Sequence, residues 1–155
     1  MLAQTGKTLI IDYKSGSKTR YDAITQSNPV NSGRSLQLAI YALAAEAKGY
    51  EKITSRYWFA TSKGEFKEKD FIWDATTRQQ LTAAVQLIVG GMRAGSFPAV
   101  PGKADRGSFK NCCTCSYDRV CSADRDTERD AKQNDPNTAF LIALSGPTVV
   151  GGNGN

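Results

Sequence analysis

The first sustained apolar run is Thr8-Leu9-Ile10-Ile11, which leads straight into Asp12-Tyr13-Lys14 before Ser15-Gly16 ends it. This pattern predicts a strand buried for most of its length. Alternate strand side chains share a face, so Asp12 and Lys14 point one way and Tyr13 the other. Taken alone, a carboxylate and an ammonium at a strand end read most simply as a surface ion pair of little energetic weight. A polar stretch over residues 17–34 follows, with Asn28, Pro29, Asn31 and Gly33 marking a connecting loop and a short turn near residues 21–24. Residues 35–48, rich in Ala and Leu, predict a helix that stops at Gly49. Its i, i+3, i+4 stripe of Leu36, Ala39, Ile40, Leu43 and Ala47 is the expected core face. Gln37 and Tyr41, one turn apart, share a neighbouring face.

Further on, residues 53–60 are β-branched and aromatic, residues 62–65 form a turn, and residues 66–73 alternate in part. Together they predict a hairpin. Asp74 or Thr76 then caps a second helix over residues 77–93, with Leu81, Val85, Ile88 and Val89 expected on its buried side and Gly90-Gly91 weakening its last turn. Residues 95–102 are a proline-marked extended connector. Residues 140–144 are expected to add a short apolar turn or edge strand, and the extreme C-terminus to be disordered. The order is strand, loop, helix, hairpin, helix and cysteine segment, without an internal repeat.

Composition narrows the function classes. The chain has 155 residues, enough for one domain with a real core. No window approaches the roughly 18 consecutive apolar residues of a membrane span, and the N-terminus lacks a secretory pattern. A cytoplasmic location with no membrane partner is therefore expected. A net charge of +5 suits an anionic partner such as nucleic acid, and Lys18, Arg20 and Arg34 face only Asp22 in the loop, which makes them candidate phosphate contacts. There is no histidine, which excludes Ser-His-Asp and Cys-His catalysis and histidine metal ligands. Hydrolysis must draw on Asp, Glu, Lys, Tyr or a metal. Gly6-Lys7-Thr8 is not a phosphate loop, because it precedes a strand and Met1 stands where the first glycine belongs.

All four cysteines lie between residues 112 and 121. Cys112, Cys115 and Cys121 have a C-x2-C-x5-C spacing, which suits a metal or an iron–sulfur cluster, whereas Cys113 points elsewhere. Three thiolates leave a four-ligand site one short. The fourth is Cys113, comes from another part of a longer chain, or is absent, and zinc is the alternative occupant.

Three separated motifs together resemble the C-terminal part of a PD-(D/E)XK superfamily nuclease domain, in the RecB-like branch that includes AddB helicase–nuclease subunits and four-cysteine exonucleases. Ile11-Asp12-Tyr13-Lys14 resembles the D-x-K strand. Gln37 and Tyr41 resemble the Q-x3-Y helix, and Phe97-Pro98 with Cys112, Cys115 and Cys121 resembles the family's ending. The resemblance spans about residues 8–124. It implies an α/β fold with a restriction-endonuclease-like core, a mixed β-sheet flanked by helices, N-terminally truncated. The expected organisation is a partial nuclease core over residues 1–100, a cysteine module over 101–124 and a polar, partly disordered tail over 125–155.

By the same resemblance, Asp12 and the Tyr13 carbonyl would hold Mg²⁺ or Mn²⁺, and Lys14 would orient or activate the attacking water. Gln37 and Tyr41 would hold the lysine and the substrate phosphate, and the three cysteines would hold a 4Fe-4S cluster. The implied function is DNA hydrolysis of the repair and recombination type, with a helicase as possible partner. The family also carries an earlier acid, in a "PD" or G-x-x-D-R element, and a first cluster cysteine upstream, which these residues do not contain. Two alternatives are an inactive nuclease-like module that binds DNA or a partner, and a zinc-binding structural domain.

Overall fold

The computed structural model describes residues 2–4, 6–102, 104–105, 108–109, 111–113, 115–117, 120–132 and 134–145. Its centre is a four-stranded mixed sheet of β1 (Leu2–Gln4), β2 (Lys7–Lys14), β3 (Ile53–Phe59) and β4 (Glu68–Ile72), in that spatial order. β1 and β2 are antiparallel around Gly6, whose φ of +72° suits the tight turn. The predicted strand is β2, and its apolar run continues into the sheet interior as a parallel pairing with β3. β3 and β4 form the predicted hairpin. β1 is an addition that three residues of ordinary polarity did not signal. A two-stranded ribbon of β5 (Ala104–Asp105) and β6 (Ser108–Phe109) stands apart from this sheet.

Parallel strands need a crossover, and helix α1 (Gln37–Ala47) supplies it between β2 and β3. Gly49, at φ +84°, ends the helix as expected. The buried face is not the predicted one. Leu38, Ala39, Ala42 and Ala45 are buried, while Ile40 and Leu43 are exposed, and of the expected stripe only Ala39 is fully in the core. Apolar residues occur on more than one side of the helix, so its pattern does not fix its rotation. The bulky Tyr57 and Phe59 of β3 are fully buried beneath it. Small alanines on the facing side let the helix approach that aromatic layer at close-packed density.

Helix α2 (Ala75–Arg93) starts in a capping box. Asp74 accepts from the Thr77 N–H at 2.8 Å, and the Thr77 hydroxyl pairs with the Asp74 N–H at 2.8 Å. The Thr77 backbone N–H, the largest influence, holds the Asp74 carboxyl below the usual carboxylate range. Asp74→Ala is expected to lower stability by about 1 kcal/mol at neutral pH. A depressed folded pKa means that this contribution is present above the ordinary carboxylate value and fades as pH falls through the folded one. The gap between wild type and variant, measured by chemical denaturation, should therefore close under acid conditions.

Leu81 and Ala84 bury α2, whereas Val85 is exposed and Ile88 and Val89 are only half-buried, so the expected stripe holds at Leu81 alone. The helix runs through Gly90 and Gly91 to Arg93. Gly91 has a packing reason, since a Cβ there would lie 2.8 Å from the Phe140 ring. Phe140 belongs to α4 (Ala139–Ser145), which packs on α2. Residues 140–144 are thus helical, not an edge strand or turn: they pack on α2 over Gly91, and among the described residues no strand pairs with them. With α3 (Arg125–Ala131), α4 gives structure to part of the polar tail. The disorder expected at the extreme C-terminus falls on residues outside the described ones. No helix among the described residues is long and apolar enough to cross a membrane.

Candidate active site

Register decides what stands beside the charged end of β2. Asp12 pairs with Tyr57 and Lys14 with Phe59, so both charged side chains lie on the sheet face covered by α1. Their side chains are 12% and 20% exposed, which separates this pair from an ordinary surface ion pair. The Lys14 ammonium donates to Asp12 Oδ2 at 3.1 Å and to Gln37 Oε1 at 2.9 Å. Gln37 Nε2 donates to the Tyr41 hydroxyl at 2.9 Å. The four predicted residues therefore form one continuous chain, Asp12 to Lys14 to Gln37 to Tyr41. An ammonium has three N–H donors, so one is left for water or phosphate.

Two aromatic rings frame the lysine. The Lys14 Nζ is 5.1 Å from the Tyr57 ring centroid and 5.8 Å from that of Tyr21. Burial pushes the Tyr57 phenol up to about 12, and the Asp12 carboxylate adds to the effect. Tyr57 was readable in the sequence only as a core aromatic, because the strand register that sets it beside Asp12 is a long-range pairing.

The Tyr13 side chain lies on the other face, 62% exposed, with its ring 5.4 Å from that of Trp58. Its carbonyl is placed differently. Lys14 C=O accepts from Ala60 N–H on the β3 side at 3.0 Å, and successive strand residues direct their amides to opposite sides. Tyr13 C=O thus faces the β1 side, where β1 pairs only with residues 7–9. Mg²⁺ accepts one or two carboxylates and keeps several waters. The Asp12 carboxylate and the Tyr13 carbonyl fit that donor set. Among the described residues, no three acids or cysteines converge closely enough to hold a metal ion.

Beside Lys14 opens a cleft of about 700 Å³ lined by Arg20 and Arg34, with Ser17, Thr19, Tyr21 and Ser35 also on its wall. Lys18 is not on that wall. It pairs with Glu65 at 3.0 Å, across the turn between β3 and β4, a partner that no local pattern reveals. Cys112, Cys115 and Cys121 line one cavity of about 450 Å³ between the 98–101 connector and α3 and α4, and Cys113 does not line it.

A family model described as the PD-(D/E)XK nuclease superfamily matches residues 2–122. The chain belongs to the PD-(D/E)XK nuclease superfamily. No curated protein and no solved structure matches it. The mixed sheet with helices packed on it agrees with the restriction-endonuclease-like α/β fold expected from the D-x-K and Q-x3-Y motifs. Members of this superfamily generally use Mg²⁺ or Mn²⁺, which is the ion class that two oxygen donors at the end of β2 would suit.

Proposed function

We propose that this chain hydrolyses DNA phosphodiester bonds at Asp12, Lys14, Gln37 and Tyr41, with Mg²⁺ or Mn²⁺ held by the Asp12 carboxylate and the Tyr13 carbonyl. The observation that carries the reading is the pair of hydrogen bonds from Lys14 to Asp12 and to Gln37, which joins two motifs 23 residues apart. A bound divalent ion would supply charge neutralisation at the phosphate and a more acidic water. Lys14, with one donor uncommitted, orients the attacking water or a phosphate oxygen. Gln37 holds the ammonium from α1, and Tyr41 fixes the Gln37 amide. The chain has no histidine that could take this task. Incubation of the purified protein with end-labelled DNA should yield cleavage with Mg²⁺ or Mn²⁺ and none with excess chelator. Intact DNA under all of these conditions contradicts the proposal.

Arg20 and Arg34 bind the DNA backbone in the cleft, supported by their place beside Lys14 and by the absence of a carboxylate paired with either among the described residues. The double replacement Arg20→Ala with Arg34→Ala should weaken binding at every sequence. It should also reduce the slope of log affinity against log salt by about 1.5–2. Anisotropy titrations over a salt series without divalent ion measure this, and an unchanged slope would remove both residues from the interface.

The finer assignment is a RecB-like nuclease of the repair and recombination type, part of a helicase–nuclease or an exonuclease, with a 4Fe-4S cluster. It draws support from the C-x2-C-x5-C spacing and from the cavity that the three cysteines share. Iron content and visible absorbance of protein purified without oxygen test it, and a colourless zinc protein would replace the cluster by zinc. A second reading, a module of this fold that binds DNA without cutting it, is favoured by one observation. Asp12 is the single acid in contact with Lys14 among the described residues. The reading of an unrelated zinc domain is disfavoured, since it requires Lys14 to stand away from Gln37.

A further inference from the structure

Tyr57 occupies the middle of this site without reaching its cleft. It is 1% exposed and is the β3 partner of Asp12. Its ring lies 5.1 Å from the Lys14 ammonium and 4.8 Å from the ring of Tyr21, which is itself 5.8 Å from the same ammonium. Tyr21 also stands edge-on to Phe59, at 5.4 Å, so both rings are braced by the core.

A lysine carries its charge on a flexible four-carbon stem. Two hydrogen bonds fix where the ammonium reaches, but they do not stop the stem from swinging it outward to water. An aromatic face beneath a partly desolvated cation does, because the ring attracts the charge inward. We propose that Tyr57, seconded by Tyr21, is a positioning residue for Lys14. Its ring holds the ammonium within reach of Asp12 and Gln37 at once. The inference rests on the reading of Lys14 as the active-site lysine.

A plain core role for Tyr57 predicts only a loss of stability, so the test needs a readout that stability does not move. In protein labelled with ¹³C-lysine, the Lys14 side-chain signal is identified by its disappearance in Lys14→Gln. A proton lying over two rings should show a ring-current shift away from the other lysines. Tyr57→Phe should keep that shift, Tyr57→Leu should abolish most of it, and Phe71→Leu, a core change in the neighbouring strand, should leave it in place. If Tyr57→Leu does not fold, Tyr21→Leu, at a half-buried position, should reduce the shift in the same direction. A Lys14 signal that is unmoved in the leucine variants, or moved equally by Phe71→Leu, overturns the proposal.

Cleavage then separates the inference from the function beneath it. Tyr57→Leu should lower kcat about tenfold with KM nearly unchanged, while Phe71→Leu lowers the melting temperature and spares kcat. Absence of cleavage by the wild type together with the expected spectra would refute the nuclease reading and leave the positioning of Lys14 standing.

Discussion

Lys14→Gln is expected to reduce DNA cleavage by about 10²-fold or more while the protein stays folded. The magnitude follows from what the residue does. Its ammonium is the node between Asp12 at 3.1 Å and Gln37 at 2.9 Å, and among the described residues it is the one cation bonded to either. Glutamine keeps a polar head and much of the stem but cannot supply positive charge where the phosphate gains negative charge. The cost in stability should stay near 1–2 kcal/mol, because the pair is partly exposed and water can reach the carboxylate left behind. Single-turnover cleavage and a denaturation midpoint, measured on the same preparation, separate the two effects. Undiminished cleavage would remove Lys14 from the mechanism.

Asp12→Asn is expected to abolish metal-dependent cleavage and to weaken Mn²⁺ binding by at least about tenfold, which corresponds to about 1.4 kcal/mol. An amide oxygen can still approach a cation, but the charge that selects a hard divalent ion is gone. With the Tyr13 carbonyl as the remaining protein donor, the ion would be held almost wholly by water. Calorimetric or spin-resonance titration of Mn²⁺ into both proteins measures the loss. Equal affinity in the two would place the ion elsewhere. The same substitution takes the charge from the acceptor at Lys14, so the Lys14 signal used to follow Tyr57 should also change. That link ties metal binding and lysine placement to one carboxylate.

The sequence carried the site further than it carried the packing around it. Asp12 and Lys14 share a face by strand alternation, and Gln37 and Tyr41 share one by helical spacing. The structure closes these two pairs into a single chain of hydrogen bonds. The hairpin and both long helices were legible for the same reason: each is a strong local pattern bounded by turn or capping residues. Helix rotation was not. α1 has apolar residues on more than one side, so the choice of Leu38, Ala42 and Ala45 over Ile40 and Leu43 was made by the aromatic layer on β3. The helix at residues 139–145 depends on Gly91 in α2, a contact across almost fifty residues. Lys18 looked like its basic neighbours until the turn carrying Glu65 came beside it. Tyr57 could not be singled out from any core aromatic before the parallel register set it against Asp12. In each case the missing information was a tertiary partner, not a local preference.

If the proposed site is right, the Asp12, Lys14 and Gln37 constellation cuts DNA with a divalent ion. The most direct test compares single-turnover cleavage of end-labelled DNA by the wild type and by Lys14→Gln in Mn²⁺, with chelator as the blank. The expected result is cleavage by the wild type, near-complete loss in the variant and none in the blank. DNA that stays intact with the folded wild type, or is cut equally by both proteins, would contradict it.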